Sequence, residues 1–147
     1  IPTVADDGGL EIDALNGEPG VMSRRWPLPS EIKSGTPPRE KTDDELIDLA
    51  LTKLADVPDD FRTARLRVVG AYHDGKSTLI ATSAIEGKIV RDRPDGCEAG
   101  YPFRSIFLIP QFNRLYRDLT PEEHEQINHR RKVYDRLRKL ILGKVSL

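Results

Sequence analysis

Asp6 and Asp7 are neighbouring carboxylates followed at once by Gly8 and Gly9, whose missing side chains let a backbone and a ligand approach closely. Two carboxylates in such a place can hold a hard cation, because Mg2+ typically takes one or two carboxylates and completes its shell with water and substrate phosphates. The same four residues are also good chemistry for a solvated turn. Glu11 and Asp13 lie on the polar side of the next stretch, where a solvated face is the simpler reading. A second group is His124, His129, Arg130, Arg131 and Lys132. The two histidines are five positions apart, so they do not share a helix face and do not make a zinc pair. The basic run can hold phosphate or a base edge, or it can simply face water. A third group, Gly100-Tyr101-Pro102-Phe103-Arg104, sets two aromatics and a cation before an apolar stretch. It either closes a core or offers a base-stacking platform with Arg104 as donor. Cys97 has no nucleophile context, and no phosphate-binding glycine loop, nucleophile elbow or His-Glu-x-x-His pair is present.

The elements that must position these groups follow from periodicity. Residues 1–5 read as a short strand, broken by Asp6-Asp7-Gly8-Gly9, and Leu10, Ile12 and Ala14 then alternate with Glu11 and Asp13 as a half-buried strand. Residues 27–41 carry four prolines and one glycine and are expected to be a surface loop. Thr42-Asp43-Asp44-Glu45 is a capping box, and Leu46, Ile47, Ala50, Leu51 and Leu54 behind it form one helical face that Pro58 ends. Residues 63–72 alternate strongly. His73-Asp74-Gly75-Lys76 turns them into a second strand over 77–90, the firmest local feature of the chain. Residues 105–109 read as a further strand. Thr120-Pro121-Glu122-Glu123 opens a final helix, with an apolar stripe at Ile127, Tyr134, Leu137 and Ile141 and a stop at Gly143.

Composition excludes several classes. The 147 residues suit one domain. At 37% hydrophobic and 32% charged, the chain is polar but far from disordered. Lys plus Arg number 23 against 24 Asp plus Glu, a net of −1, which supplies no global field for nucleic acid or an anionic membrane. One cysteine cannot form an internal disulfide, so a reducing, cytoplasmic setting is expected. No apolar run approaches the ~18–20 residues a membrane helix needs. The chain opens on Ile1 rather than Met, directly in a strand-like stretch, and reads as a candidate fragment.

The order and wording of the three groups carry more than each alone. Ala5-Asp6-Asp7-Gly8-Gly9-Leu10, running on to Pro19-Gly20-Val21-Met22-Ser23-Arg24-Arg25-Trp26, resembles the Ala-Asp-Asp-Ser-Gly-Leu…Pro-Gly-Val-Tyr-Ser-Ala-Arg-Tyr segment of the inosine/xanthosine triphosphate pyrophosphatases. Gly100-Tyr101-Pro102-Phe103-Arg104-Ser105-Ile106-Phe107 is similar to the family's Gly-Phe-Gly-Tyr-Asp-Pro-Ile-Phe. Leu119-Thr120-Pro121-Glu122-Glu123-His124 and Asn128-His129-Arg130-Arg131-Lys132 are similar to Leu-Ser-Pro-Glu-Glu-Lys and Ser-His-Arg-Gly-Lys. The resemblance implies an α/β fold, a mixed β-sheet with flanking helices in two lobes. Residues 1–147 would form one domain, the C-terminal two-thirds of that fold. It implies Mg2+-dependent hydrolysis of non-canonical purine nucleoside triphosphates to monophosphate and pyrophosphate, by a protein that is a homodimer and binds neither nucleic acid nor membrane.

By the same resemblance Asp7 is the metal ligand and general base that activates water for attack on the α-phosphorus, with Asp6 beside it. Gly8 meets the triphosphate through its amide, Tyr101 stacks on the purine, and Phe103 and Arg104 lie at the base edge. His124 stands where the family has a lysine near the phosphates or base, and His129 with Arg130 donates to the 6-oxo group. The departures are Gly8 for Ser, Arg104 for Asp, His124 for Lys and Arg131 for Gly, together with the family's opening Gly-Asn-x-x-Lys turn and metal-binding Glu, which lie outside this sequence. Arg104 turns an acceptor into a charged donor, so altered base selectivity is expected. The alternative is an inactive relative that acts as a nucleotide-binding or structural module.

Overall fold

A computed structural model describes residues 1–145. Five strands form one sheet in the order β1-β2-β3-β4-β5, antiparallel at every pairing. They are β1 (Thr3–Ile12), β2 (Thr63–His73), β3 (Thr78–Ile89), β4 (Phe107–Ile109) and β5 (Arg114–Leu115). The long β2–β3 hairpin follows from its alternation. Ala64, Val68 and Gly70 are buried, while the arginines between them, Arg65 and Arg67, face the other way and are only partly covered. The expected break at Asp6-Asp7-Gly8-Gly9 does not occur. Those residues run through the middle of one continuous strand, paired from Thr3↔His73 to Ile12↔Ala64. Local turn preference gives way because β2 supplies ladder partners along the full length of the segment.

Flanking helices make up the rest: α1 (Pro29–Ser34), α2 (Asp43–Lys53), α3 (Pro121–Ile127) and α4 (His129–Val145). The α/β architecture of sheet and flanking helices is therefore present. The capping box that opens α2 is formed as read, with Glu45 N donating to Thr42 Oγ1 at 3.2 Å and Thr42 N donating to Glu45 Oε2 at 2.8 Å. The 27–41 stretch contains α1 rather than loop alone, and it is pinned by Lys41, whose Nζ is buried against Glu31 Oε2 at 3.0 Å. The single C-terminal helix becomes two. Thr120 caps α3, the backbone leaves helical geometry at Asn128 (ψ 89°), and Asn128 Oδ1 accepts from Arg131 N at 3.0 Å to start α4. Gly143 lies within α4 rather than after it, and the stripe that packs on the sheet uses Val133 and Leu137, leaving Tyr134 exposed.

Two apolar clusters cover one face of the hairpin. The larger joins Leu10 and Ile12 of β1, the inner face of α2, Trp26, Phe103, Phe107 and Ile127. The smaller joins Val68 and Ala81 to Val133 and Leu137 of α4. Arg62 is buried beneath the larger one, donating to the carbonyls of Leu54, Ile89 and Val90 at 2.5, 2.9 and 2.7 Å. A cleft opens between the two clusters.

Candidate nucleotide cleft

The floor of the cleft is strand. Gly8, Gly9 and Leu10 of β1 lie beside Leu66 and Val68 of β2. The glycines leave the backbone bare, and Gly9 has a further constraint. A Cβ there would run into the carbonyl of Gly20 and approach Ser23 Oγ at 3.1 Å, so only glycine lets the 20–25 segment close onto the strand. Ser23 bolts that segment down, with Leu10 N donating to its Oγ at 3.0 Å and the hydroxyl donating to Gly20 O at 2.6 Å. Opposite walls come from residues 100–104, Tyr116 and the start of α4. The enclosed volume is about 400 Å³, in the range of small-ligand clefts.

Asp7, Gly8, Tyr101, Phe103, Arg104, His129 and Arg130 all line this cleft. Asp6 and His124 do not. Alternation along β1 sends Asp6 and Asp7 to opposite faces of the sheet. Asp6 turns toward α4, where Tyr134 donates to its Oδ1 at 2.8 Å and Arg130 Nε lies 2.7 Å from Oδ2, an ion pair lacking hydrogen-bond alignment. The two carboxylates are thus not brought together. Asp7 is exposed, with Gly8 N donating to its Oδ1 at 2.8 Å. Among the described residues no three His, Cys, Asp or Glu side chains cluster as a metal site.

The aromatic wall has its own support. Phe103 is buried edge-on to Trp26, with ring centroids 6.3 Å apart. Tyr101 is 48% exposed and carries the Arg104 guanidinium 3.8 Å from its ring centroid, with Tyr116 5.1 Å from the same group. Glu98 Oε1 accepts from Arg104 Nη1 at 2.8 Å. The loop is held from α2. Asp43 Oδ2 accepts from Gly100 N at 2.7 Å and its Oδ1 pairs with Arg24, and the Arg24 bond holds the Asp43 carboxyl below the usual carboxylate range. Gly100 has φ +81°, a conformation that side chains strain to adopt.

Histidine chemistry here is that of neutral rings. Burial, reinforced by Arg130 and Arg104, pulls His129 down to about 4, and its Nδ1 is buried without a partner. His124 is lowered too, by burial and then by Arg104, and packs edge-on against Tyr116 with centroids 5.0 Å apart. It therefore stands behind the cleft wall. Reading the residues alone missed Tyr116, Glu98 and Asp43, because Asp43 meets Gly100 from far along the chain and the nearby Glu98 and Arg104 lie at no helix or strand spacing.

These walls are built from both ends of the chain. The Ham1 family description matches residues 1–140. The chain belongs to the Ham1 family. A Ham1-family relative, the dITP/XTP pyrophosphatase of Shouchella clausii, is 36% identical over 95% of this chain and 65% of its own length. That of Vibrio cholerae is 34% identical over 96% and 66%. Among solved structures, the Staphylococcus aureus Ham1 protein superposes with a TM-score of 0.76 at 28% identity, covering 97% of this chain and 68% of that one. The dITP/XTP pyrophosphatase of Mycobacterium abscessus superposes at 0.73 with 32% identity, covering 93% and 66%. This Ham1-family chain thus spans about two-thirds of the length of these relatives. Among the described residues no helix is long and apolar enough to cross a membrane.

Proposed function

We propose that this chain carries the nucleotide-facing part of a pyrophosphatase that converts non-canonical purine nucleoside triphosphates to monophosphate and pyrophosphate. The observation that carries the reading is the convergence, on one cleft, of an exposed carboxylate, a glycine-floored strand, a stacking aromatic and several cations. In this scheme Tyr101 and Phe103 give the base an apolar wall and Arg104 meets its edge. His129, neutral and with Nδ1 unpaired, offers a hydrogen bond to a ring substituent beside Arg130. The Gly8 amide, which donates to Asp7 Oδ1 at 2.8 Å, exchanges that partner for the phosphates. Asp7 takes a proton from a water, whose oxygen bonds to the α-phosphorus as the bond to the bridging oxygen breaks and pyrophosphate leaves.

Mg2+ belongs to the proposal. With Asp6 committed to Arg130 and Tyr134, Asp7 is the one carboxylate among the described residues that lines the cleft, which suits an ion arriving on the triphosphate rather than one held beforehand. Bound there, it would neutralise charge on the oxygens around the scissile bond. Homodimer assembly and a cytoplasmic setting are part of the same reading, supported by the resemblance and the lone cysteine.

Altered base selectivity is expected from Arg104. Its guanidinium offers donors where the resemblance implies an acceptor, and a mismatched buried hydrogen bond costs on the order of 1–3 kcal/mol. Pyrophosphate release with Mg2+ from ITP, XTP, dITP, GTP and ATP tests the proposal. Oxo-purine triphosphates should exceed ATP by about tenfold or more. No release from folded protein that still binds nucleotide would favour the binding-module alternative.

A further inference from the structure

Among the described residues five arginines line the cleft, and four of them already have carboxylate partners. Arg24 pairs with Glu40 and Asp43, Arg67 with Glu11 at 2.7 Å, Arg104 with Glu98 at 2.8 Å and Arg130 with Asp6 at 2.7 Å. The Arg25 guanidinium has no such partner among the described residues. Its backbone, by contrast, is fixed on both sides. Ser23 anchors the preceding turn to Leu10 and Gly20, Arg25 N donates to Met22 O at 2.8 Å, and the following Trp26 is buried, its Nε1 donating to Glu18 Oε2 at 3.0 Å. The turn so fixed lies directly over Gly9, next to the exposed Asp7 and the Gly8 amide that donates to it.

We propose that Arg25 is the cation that grips the phosphate chain of the nucleotide in this cleft, an inference that rests on the nucleotide reading above. A guanidinium presents its donors as a planar fork matched to phosphate oxygens, and charge-assisted bonds of this kind are roughly twice as strong as neutral ones. A pinned backbone leaves only side-chain freedom to be lost on binding, which favours a residue held ready over one recruited from a loose loop. The four paired arginines would have to surrender a carboxylate to do the same work. Among the described residues Asp7 is the single carboxylate lining the cleft, so an uncompensated cation beside it suits a polyanion that also brings its own metal ion.

The test uses the full chain, with inorganic tripolyphosphate as the phosphate probe and inosine as the base probe, each followed by calorimetry. Arg25→Ala should weaken tripolyphosphate binding by about tenfold or more and Arg25→Lys by about threefold, since a lysine keeps the charge and loses the fork. Arg138→Ala, which removes an exposed charge on α4 away from the cleft, should bind as wild type does. Inosine should bind all four proteins alike. Unchanged tripolyphosphate binding in Arg25→Ala would overturn the assignment, and so would a parallel loss of both probes, which would make Arg25 a prop for the cleft. If wild type releases no pyrophosphate from any triphosphate yet Arg25→Ala still loses tripolyphosphate, the catalytic reading fails and the anion site stands.

Discussion

His129 shows what burial does to a single group in this cleft. Burial and the neighbouring Arg130 hold its pKa at about 4, against an ordinary 6.5. Between those values the unfolded chain takes up a proton that the folded chain refuses, so stability falls as pH drops through that window and is intact above it. The full difference corresponds to about 3 kcal/mol, of which solvent screening of the partly exposed ring leaves about 2 kcal/mol. Urea unfolding at pH 7 and pH 4.5 should therefore show a loss in the wild type that is smaller by about 2 kcal/mol in His129→Gln. An equal loss in both proteins would show that other groups set the acid sensitivity. The same neutrality matters for binding, because an unprotonated ring can accept a hydrogen bond that an imidazolium cannot. Asp6 makes the complementary point. The carboxylate beside Asp7 in sequence is spent on Arg130 and Tyr134, so it ties β1 to α4 and orients the cation at the cleft mouth.

At the scale of elements, α4 is placed by what the sheet lacks. A Cβ added at Gly70 would stand 2.5 Å from Val133 Cγ1 and 3.0 Å from Leu137 Cδ1, so the helix sits on the strand only because that position has no side chain. Gly70→Ala should cost about 1–3 kcal/mol by overpacking. It should also shift the start of α4, raising KM for nucleotide; an unchanged melting midpoint would mean that the helix yields freely. Elements of this kind were unevenly legible. The β2–β3 hairpin and the two capping boxes were readable because each is a local pattern of alternation or of Thr with Glu three residues on. The continuity of β1 was not, because Asp-Asp-Gly-Gly states a turn locally and only the partner strand overrides it. The split at Asn128 was hidden by apolar spacing that runs on across it, and β5 has only two residues, Arg114–Leu115.

Across the whole molecule, the cleft lies where two apolar clusters on one sheet face leave a gap, and its walls join residues from both ends of the chain. Asp7, Gly8, Tyr101, Phe103, Arg104, His129 and Arg130 were reached through the order of motifs. Residue types alone left each of them with an ordinary surface or core explanation. The supports, Asp43 under Gly100 and Glu98 under Arg104, could not be read because a bond between distant segments, or within an irregular loop, has no periodic sequence spacing. The central claim is that this arrangement performs hydrolysis through Asp7, and Asp7→Asn tests it most directly. The side chain is exposed and keeps its size, so folding should be unaffected. Pyrophosphate release and nucleotide affinity measured on the same preparation should show turnover lost by about a hundredfold or more with affinity changed far less. Undiminished turnover in that variant would contradict the account.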